Sequence, residues 1–176
     1  MRGNAALPAR VAWALETMEI RPGDRVLEIG PGTGVAVAAI VERLAEGVIT
    51  AIDRSATAIA ATRAHNAAAV AAGRVVLETT SLDRADLTAG TFDRIFAINI
   101  NLFWVRDAAA DLAALRGALA PEGILYLFYE PPGPEQASRI ARVVGAAVGA
   151  AGFTATTIEA DRAGRPLVAI VGRPGT

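Results

Sequence analysis

The chain has no cysteine and no lysine among its 176 residues. Without cysteine there is no disulfide, no thiolate metal site, no thiol redox chemistry and no cysteine nucleophile. Without lysine there is neither a Schiff-base residue nor the lysine of a P-loop. All 17 basic groups are arginines, a bias shared with the abundant alanine and read as compositional. One histidine, His65, and scattered acids suggest no metal site. An excess of charge of one sign is also missing: the net charge is −1. A non-specific nucleic-acid binder needs a basic excess to displace counterions, so nucleic acid is not the expected partner. The longest helix-like apolar run, Val143 to Phe153, is too short to span a bilayer and contains glycines. Met1-Arg2-Gly3-Asn4 leads into a broken, mixed segment without the pattern of a signal peptide, and a cytoplasmic location is expected.

What is present suits one globular domain over residues 1–176. A chain of this length buries roughly 70% of its unfolded surface and needs no staple. Aromatics are 5% of the residues, so closely packed alanine-rich helices are expected. Apolar runs of strand length alternate with helical stretches, which predicts a parallel sheet covered on both faces.

The expected order is a helix at about 7–20, then strands at 25–29 and 48–52. Further strands follow at 74–78, 92–98 and 124–129. Helices are expected at 33–46, from an N-cap at Ser55 to Ala72, at 105–119, and from Pro134 to Ala150. Two closely joined strands, 153–159 and 167–171, predict an antiparallel hairpin turning through Ala160–Pro166. Pro121-Glu122-Gly123 reads as a turn. The sum is a seven-stranded, doubly wound α/β sheet.

The strongest local signal is Val26-Leu27-Glu28-Ile29-Gly30-Pro31-Gly32-Thr33-Gly34, between a predicted strand and a helix. Glycines let the backbone turn tightly and approach a ligand, and the helix start offers unpaired N–H groups. Asp53 ends the next strand, where an acid can accept hydrogen bonds from both ribose hydroxyls. A dinucleotide fingerprint would need its third glycine at Val35; here it is Gly34. Glu28, just before the loop, would repel a pyrophosphate but suits a ligand carrying an ammonium. That combination points to S-adenosylmethionine.

On these residues the chain resembles the class I S-adenosylmethionine-dependent methyltransferases. The resemblance runs from about Leu7 to Gly172, and Val26 to Gly34 looks like the family's first motif. It implies strand order 3-2-1-4-5-7-6 with the seventh strand antiparallel and helices on both faces. It also implies that Gly30, Gly32 and Gly34 meet the methionine and ribose part, with Glu28 near the amino group. Asp53 would hold the ribose hydroxyls, with Arg54 beside the adenine. The family's acidic position after the third strand falls on Ser81-Leu82, with Asp83 two residues on. The adenine contact is thus open between Ser81, the Leu82 backbone and Asp83. Asn99 occupies the position whose backbone commonly meets the methionine end.

Asn99 to Trp104 follows the fourth strand, where this fold places the transferred methyl. Its amides and aromatics read equally as an acceptor site or as a turn with caps and two core aromatics. Asn101 and Glu130 are the catalytic candidates; Glu130 reads as a general base or a solvated carboxylate. His65 is expected to be structural or at the surface. Arg139 and Arg142 mark a solvated helix face. Trp13 is a core anchor or a cover for the cofactor.

The Asn-Pro-Pro-Tyr type motif of amino-group DNA methyltransferases is absent, and so is any inserted lid. The reading is methyl transfer to a small-molecule acceptor by in-line displacement, with a homodimer as one way to complete the site. The alternatives are an NAD(P)-linked oxidoreductase and a non-catalytic cofactor-binding or scaffold subunit. The first lacks the usual glycine spacing and any Tyr-x-x-x-Lys pair.

Overall fold

A computed structural model describes residues 6–175, so the reading of Met1 to Asn4 lies outside the described residues. Seven strands form one sheet in the order β3-β2-β1-β4-β5-β7-β6. They are β1 (Arg25–Ile29), β2 (Val48–Asp53), β3 (Val75–Thr79), β4 (Phe92–Ile98), β5 (Leu119–Tyr129), β6 (Phe153–Arg162) and β7 (Arg165–Pro174). The first five run parallel; β7 lies antiparallel between β5 and β6. The seven-stranded order and its antiparallel strand are those that the resemblance implies.

Helices α1 (Ala9–Met18), α2 (Val35–Val41), α3 (Ala56–His65), α4 (Ala67–Ala71), α5 (Leu102–Val105), α6 (Ala109–Ala118) and α7 (Pro134–Ala150) connect and cover the sheet. Alternation along each strand divides the core. Leu27, Ile95, Leu125, Leu127 and Ile170 pack with α6 and α7 on one face. Val26, Phe96, Tyr126, Phe128 and Ala169 pack with α1 and α2 on the other. Trp13 is a core anchor: it is buried and meets Phe128 edge-on, with ring centroids 5.6 Å apart. Arg139, Arg142 and His65 are exposed.

Several boundaries differ from the sequence expectation, each for a local reason. The first helix is shorter than 7–20: Pro8 precedes it, and Glu19 leaves it in a left-handed conformation (φ 47°). The second stops at Val41, not 46. The amides of Ala45, Glu46 and Gly47 turn to the Pro22 carbonyl, and the Arg74 guanidinium takes the carbonyls of Val41 and Leu44. The helix expected to run to Ala72 breaks at Asn66, whose side chain is used elsewhere. Ser55 caps α3 as expected, accepting from Ala58 N–H.

The helix expected at 105–119 is two pieces. Arg106 is extended, and Asp107 Oδ1 accepts from Ala109 N–H to start α6. Pro121–Gly123 do not precede β5 but deform it. Phe92 pairs Leu119 and Arg94 pairs Ile124, so the extra residues bulge out of the ladder. The hairpin turn narrows from Ala160–Pro166 to Ala163-Gly164. Both have positive φ, the form that suits a two-residue hairpin connection.

Candidate active site

The carboxyl ends of β1, β2, β3 and β4 open onto a cavity of about 500 Å³. Strand order reverses beside β1, between β2 and β4, so this is the switch point of the sheet, the usual ligand crevice of such folds. Gly30 enters the cavity from the glycine loop, Asp53 and Arg54 from the end of β2, and Thr80 to Asp83 from the end of β3. Ile100, Asn101, Leu102, Val105 and Arg106 close it from the segment after β4.

The glycine loop is held by hydrogen bonds that the sequence reading missed. Gly30 N–H donates to the Ile52 carbonyl at 2.9 Å. Thr62 Oγ1 donates to the Gly32 carbonyl at 3.1 Å, and Asn66 Nδ2 to the Gly34 carbonyl at 3.1 Å. Both side chains come from the end of α3 and are buried. Gly34 sits at φ 79°, and a Cβ there would lie 2.6 Å from Asn66 Nδ2 and 2.9 Å from Thr62 Cα. At Gly30, a Cβ would collide with Ile100, which packs directly over the loop. The spacing of α3 residues opposite the loop carries no pattern by which these partners could be found.

Asp53 Oδ1 accepts from Ser55 N–H at 2.8 Å, which fixes the carboxylate at the cavity wall. Asp83 stands in a 3-10 turn, Leu82–Arg84; the Ser81 hydroxyl holds its carboxyl below the usual carboxylate range. Arg106 pairs with the buried Asp111 of α6 at 3.0 Å and so stays at the cavity lip. Nothing in the local sequence marks Arg106 for this place.

Of the residues singled out from sequence, Gly30, Asp53, Arg54, Ser81, Leu82 and Asn101 share the cavity. Gly32, Gly34 and Asn99 do not line it; the first two are held through their carbonyls by Thr62 and Asn66 at the end of α3. Glu28 does not line it either. It lies wholly buried under the loop, its Oε2 without a hydrogen-bond partner, and burial pushes its carboxyl up to about 8. At neutral pH such a group is protonated until a positive charge reaches it.

The Asn99–Trp104 stretch has both a cavity-lining and a core side. Asn101 faces the cavity and accepts from Trp104 Nε1 at 3.2 Å, while Phe103 is core. Asn99 adopts a left-handed conformation, φ 57°, and its Oδ1 accepts from Glu130 N–H at 2.8 Å. Glu130 is not a solvated carboxylate: Arg10 and Arg165 hold its two oxygens at 3.1 and 3.0 Å. Burial alone would raise its carboxyl, but the hydrogen bonds from Arg165 and Arg10 outweigh this and lower it. That makes it a weak proton acceptor, against its reading as a general base.

Among the described residues no three His, Asp or Glu side chains converge to hold a metal ion. No helix there is long and apolar enough to cross a membrane.

Residues 26–123 match a family described as a methyltransferase domain. The chain is 36% identical over 136 residues to a protein-L-isoaspartate O-methyltransferase of Methylorubrum extorquens, covering 77% of this chain and 54% of that protein. It spans between 25% and 54% of the length of the curated relatives it matches. Among solved structures it resembles an S-adenosylmethionine-dependent methyltransferase from Aquifex aeolicus. That match has a TM-score of 0.76 and 17% identity, covering 92% of this chain and 88% of the other. The [4+2]-cyclase SpnF is as similar in fold, with a TM-score of 0.76 and 16% identity, covering 94% and 80%.

Proposed function

The chain belongs to the methyltransferase-domain family, among the class I S-adenosylmethionine-dependent methyltransferases, and from that premise we propose that it methylates a small-molecule acceptor. One observation carries the reading. Asp53 and Gly30, from the ends of adjacent strands, face one cavity, and a buried carboxyl without a partner lies under the loop between them.

The residues present fit S-adenosylmethionine. Asp53, oriented by its bond from Ser55, would accept from the ribose hydroxyls. Arg54 flanks the adenine. Ser81, Leu82 and Asp83 supply its polar partners, with Ile29, Ile52 and Ile100 as apolar walls. Gly30, Gly32 and Gly34 let the backbone approach the methionine part, and Asn99 borders it. Glu28 is the counter-ion for the ammonium. The third glycine of the loop stands at Gly34 and not at Val35, a spacing that disfavours a nicotinamide dinucleotide.

When bound, the cofactor supplies an electrophilic methyl for in-line displacement from a sulfonium. The chain's contribution is alignment and exclusion of water. Ile100, Leu102 and Val105 provide the apolar wall, and Asn101 is the polar group on the acceptor side. Alignment suffices when the acceptor is itself a good nucleophile, so no dedicated base is assigned. We read residues 1–176 as one domain, acting in the cytoplasm, with a homodimer as a means of covering the acceptor side. The cyclase neighbour keeps a non-methylating use of the fold as the second reading.

Calorimetric titration with S-adenosylmethionine, S-adenosylhomocysteine and NAD(H) tests the proposal. Binding of the first two and not the third is expected, and Asp53→Ala should abolish it. Binding of NAD(H) alone, or unchanged affinity in the variant, would overturn the assignment.

A further inference from the structure

Beside the cavity, three distant parts of the chain converge on one carboxylate. Glu130 follows β5. Its Oε2 accepts from Arg10 Nη1 on α1, and its Oε1 from Arg165 Nη1 at the start of β7. Its backbone N–H is held by Asn99, which occupies a left-handed conformation to reach it. Asn99 adjoins Ile100, which lines the cavity and packs over Gly30. The cluster does not line the cavity; it stands at the same carboxyl edge of the sheet, at the end of β5 and the start of β7, joined through Asn99 to the Ile100 wall.

The three charges leave one positive charge. The Glu130 side chain is only 10% exposed, whereas those of Arg10 and Arg165 are 39% and 70% exposed. Each guanidinium has five N–H donors and gives one to Glu130. Each guanidinium meets a different oxygen of the Glu130 carboxylate through its Nη1 alone, at 3.1 and 3.0 Å, and keeps its other donors for a second carboxylate. Asn99, in a left-handed conformation, accepts from Glu130 N–H and so fixes the backbone that carries this carboxylate.

We propose that Arg10 and Arg165 recognise an acceptor that carries a carboxylate, with Glu130 and Asn99 as positioning residues that hold the two guanidiniums together. This rests on the methyltransferase reading above and narrows its substrate class. The carboxylate anchors the acceptor, and a separate hydroxyl or amine takes the methyl. The lone pair of that oxygen or nitrogen forms the new bond to carbon. The sulfur keeps the electron pair of the bond that breaks, and the displaced proton leaves to solvent.

The test uses methyl-labelled S-adenosylmethionine and a panel of hydroxy- and amino-substituted benzoic and short-chain acids, each beside its carboxamide. Acids should be methylated with a KM at least tenfold below that of the matched amide. The double variant Arg10→Gln, Arg165→Gln should raise the KM for acids tenfold or more. Its kcat should stay within about threefold, and its S-adenosylmethionine affinity should not change. Asn99→Ala should move KM the same way by a smaller factor. Should the double variant fail to fold, the acid–amide comparison on the unaltered chain decides. Three results overturn the inference while the cofactor still binds: equal turnover of acids and amides, no acid methylated, or an unchanged KM in a folded double variant. Failure of the cofactor to bind removes the parent reading instead, and the titration separates the two cases.

Discussion

Glu28 holds a cost inside the ligand-free fold. Its carboxyl is raised to about 8 by burial, against 4.5 for the ordinary group. A group whose folded value is raised stabilises most below its unfolded value, and stability is lost as pH rises through the folded one. At pH 7 the cost is on the order of 3 kcal/mol. Glu28→Gln should therefore raise the unfolding free energy of the free protein by about 1–3 kcal/mol at pH 7. It should also flatten the stability profile between about pH 5 and 8 in urea denaturation. The same variant should weaken S-adenosylmethionine at least tenfold. A variant no more stable than the unaltered chain at pH 8 would contradict this account. The position of Glu28 directly before a glycine loop was legible in the sequence. Its full burial was not, because that depends on α2 and the loop closing over β1.

At the scale of elements, the glycine loop and α3 behave as one unit. Gly34→Ala would force a side chain into a left-handed backbone and against the backbone of Thr62. A loss of about 2–4 kcal/mol is expected, read as a lowered Tm. Asn66→Ala leaves the Gly34 carbonyl without its side-chain partner and should cost about 1–3 kcal/mol. Calorimetry should show weaker S-adenosylmethionine binding in both. An unchanged cofactor affinity in a folded Asn66→Ala protein would separate the brace from the site. Strand positions such as 25–29 and 92–98 were readable because apolar runs of that length bounded by turn residues have few other uses. Helix ends were less readable. Where α2 stops depends on Pro22 and Arg74, and where α3 stops depends on a loop thirty-two residues earlier. Such decisions are made across the sheet, between segments that no local window joins.

For the whole molecule, the ion pairs of α1 tie its ends to the sheet's last hairpin. Arg10 meets Glu130 beside Arg165, and Glu16 meets Arg162 at 2.7 Å. Glu130's lowered carboxyl contributes stability above its unfolded value, and that contribution is lost as pH falls through its folded value. Denaturation across an acid series should show Glu130→Gln less stable than the unaltered chain at neutral pH, with the gap closing in acid. A gap that persists undiminished in acid would assign the effect to packing. The order of the sheet was expected through the family resemblance carried by one motif, while the hairpin at its end was readable from two apolar runs and a short turn. The Arg10–Glu130–Arg165 cluster was not readable, since its members stand 120 and 35 residues apart in the chain.

The insertion of β7 between β5 and β6 has a consequence for biosynthesis. β5 is complete at Tyr129, yet the strand that covers its edge ends only at Pro174. A ribosome adding roughly 5–20 residues per second takes roughly 2 to 9 seconds to cross that gap. Until β7 is made, the backbone donors and acceptors along that edge of β5 have no strand to pair with. β7, made after β6, is the strand that closes that edge.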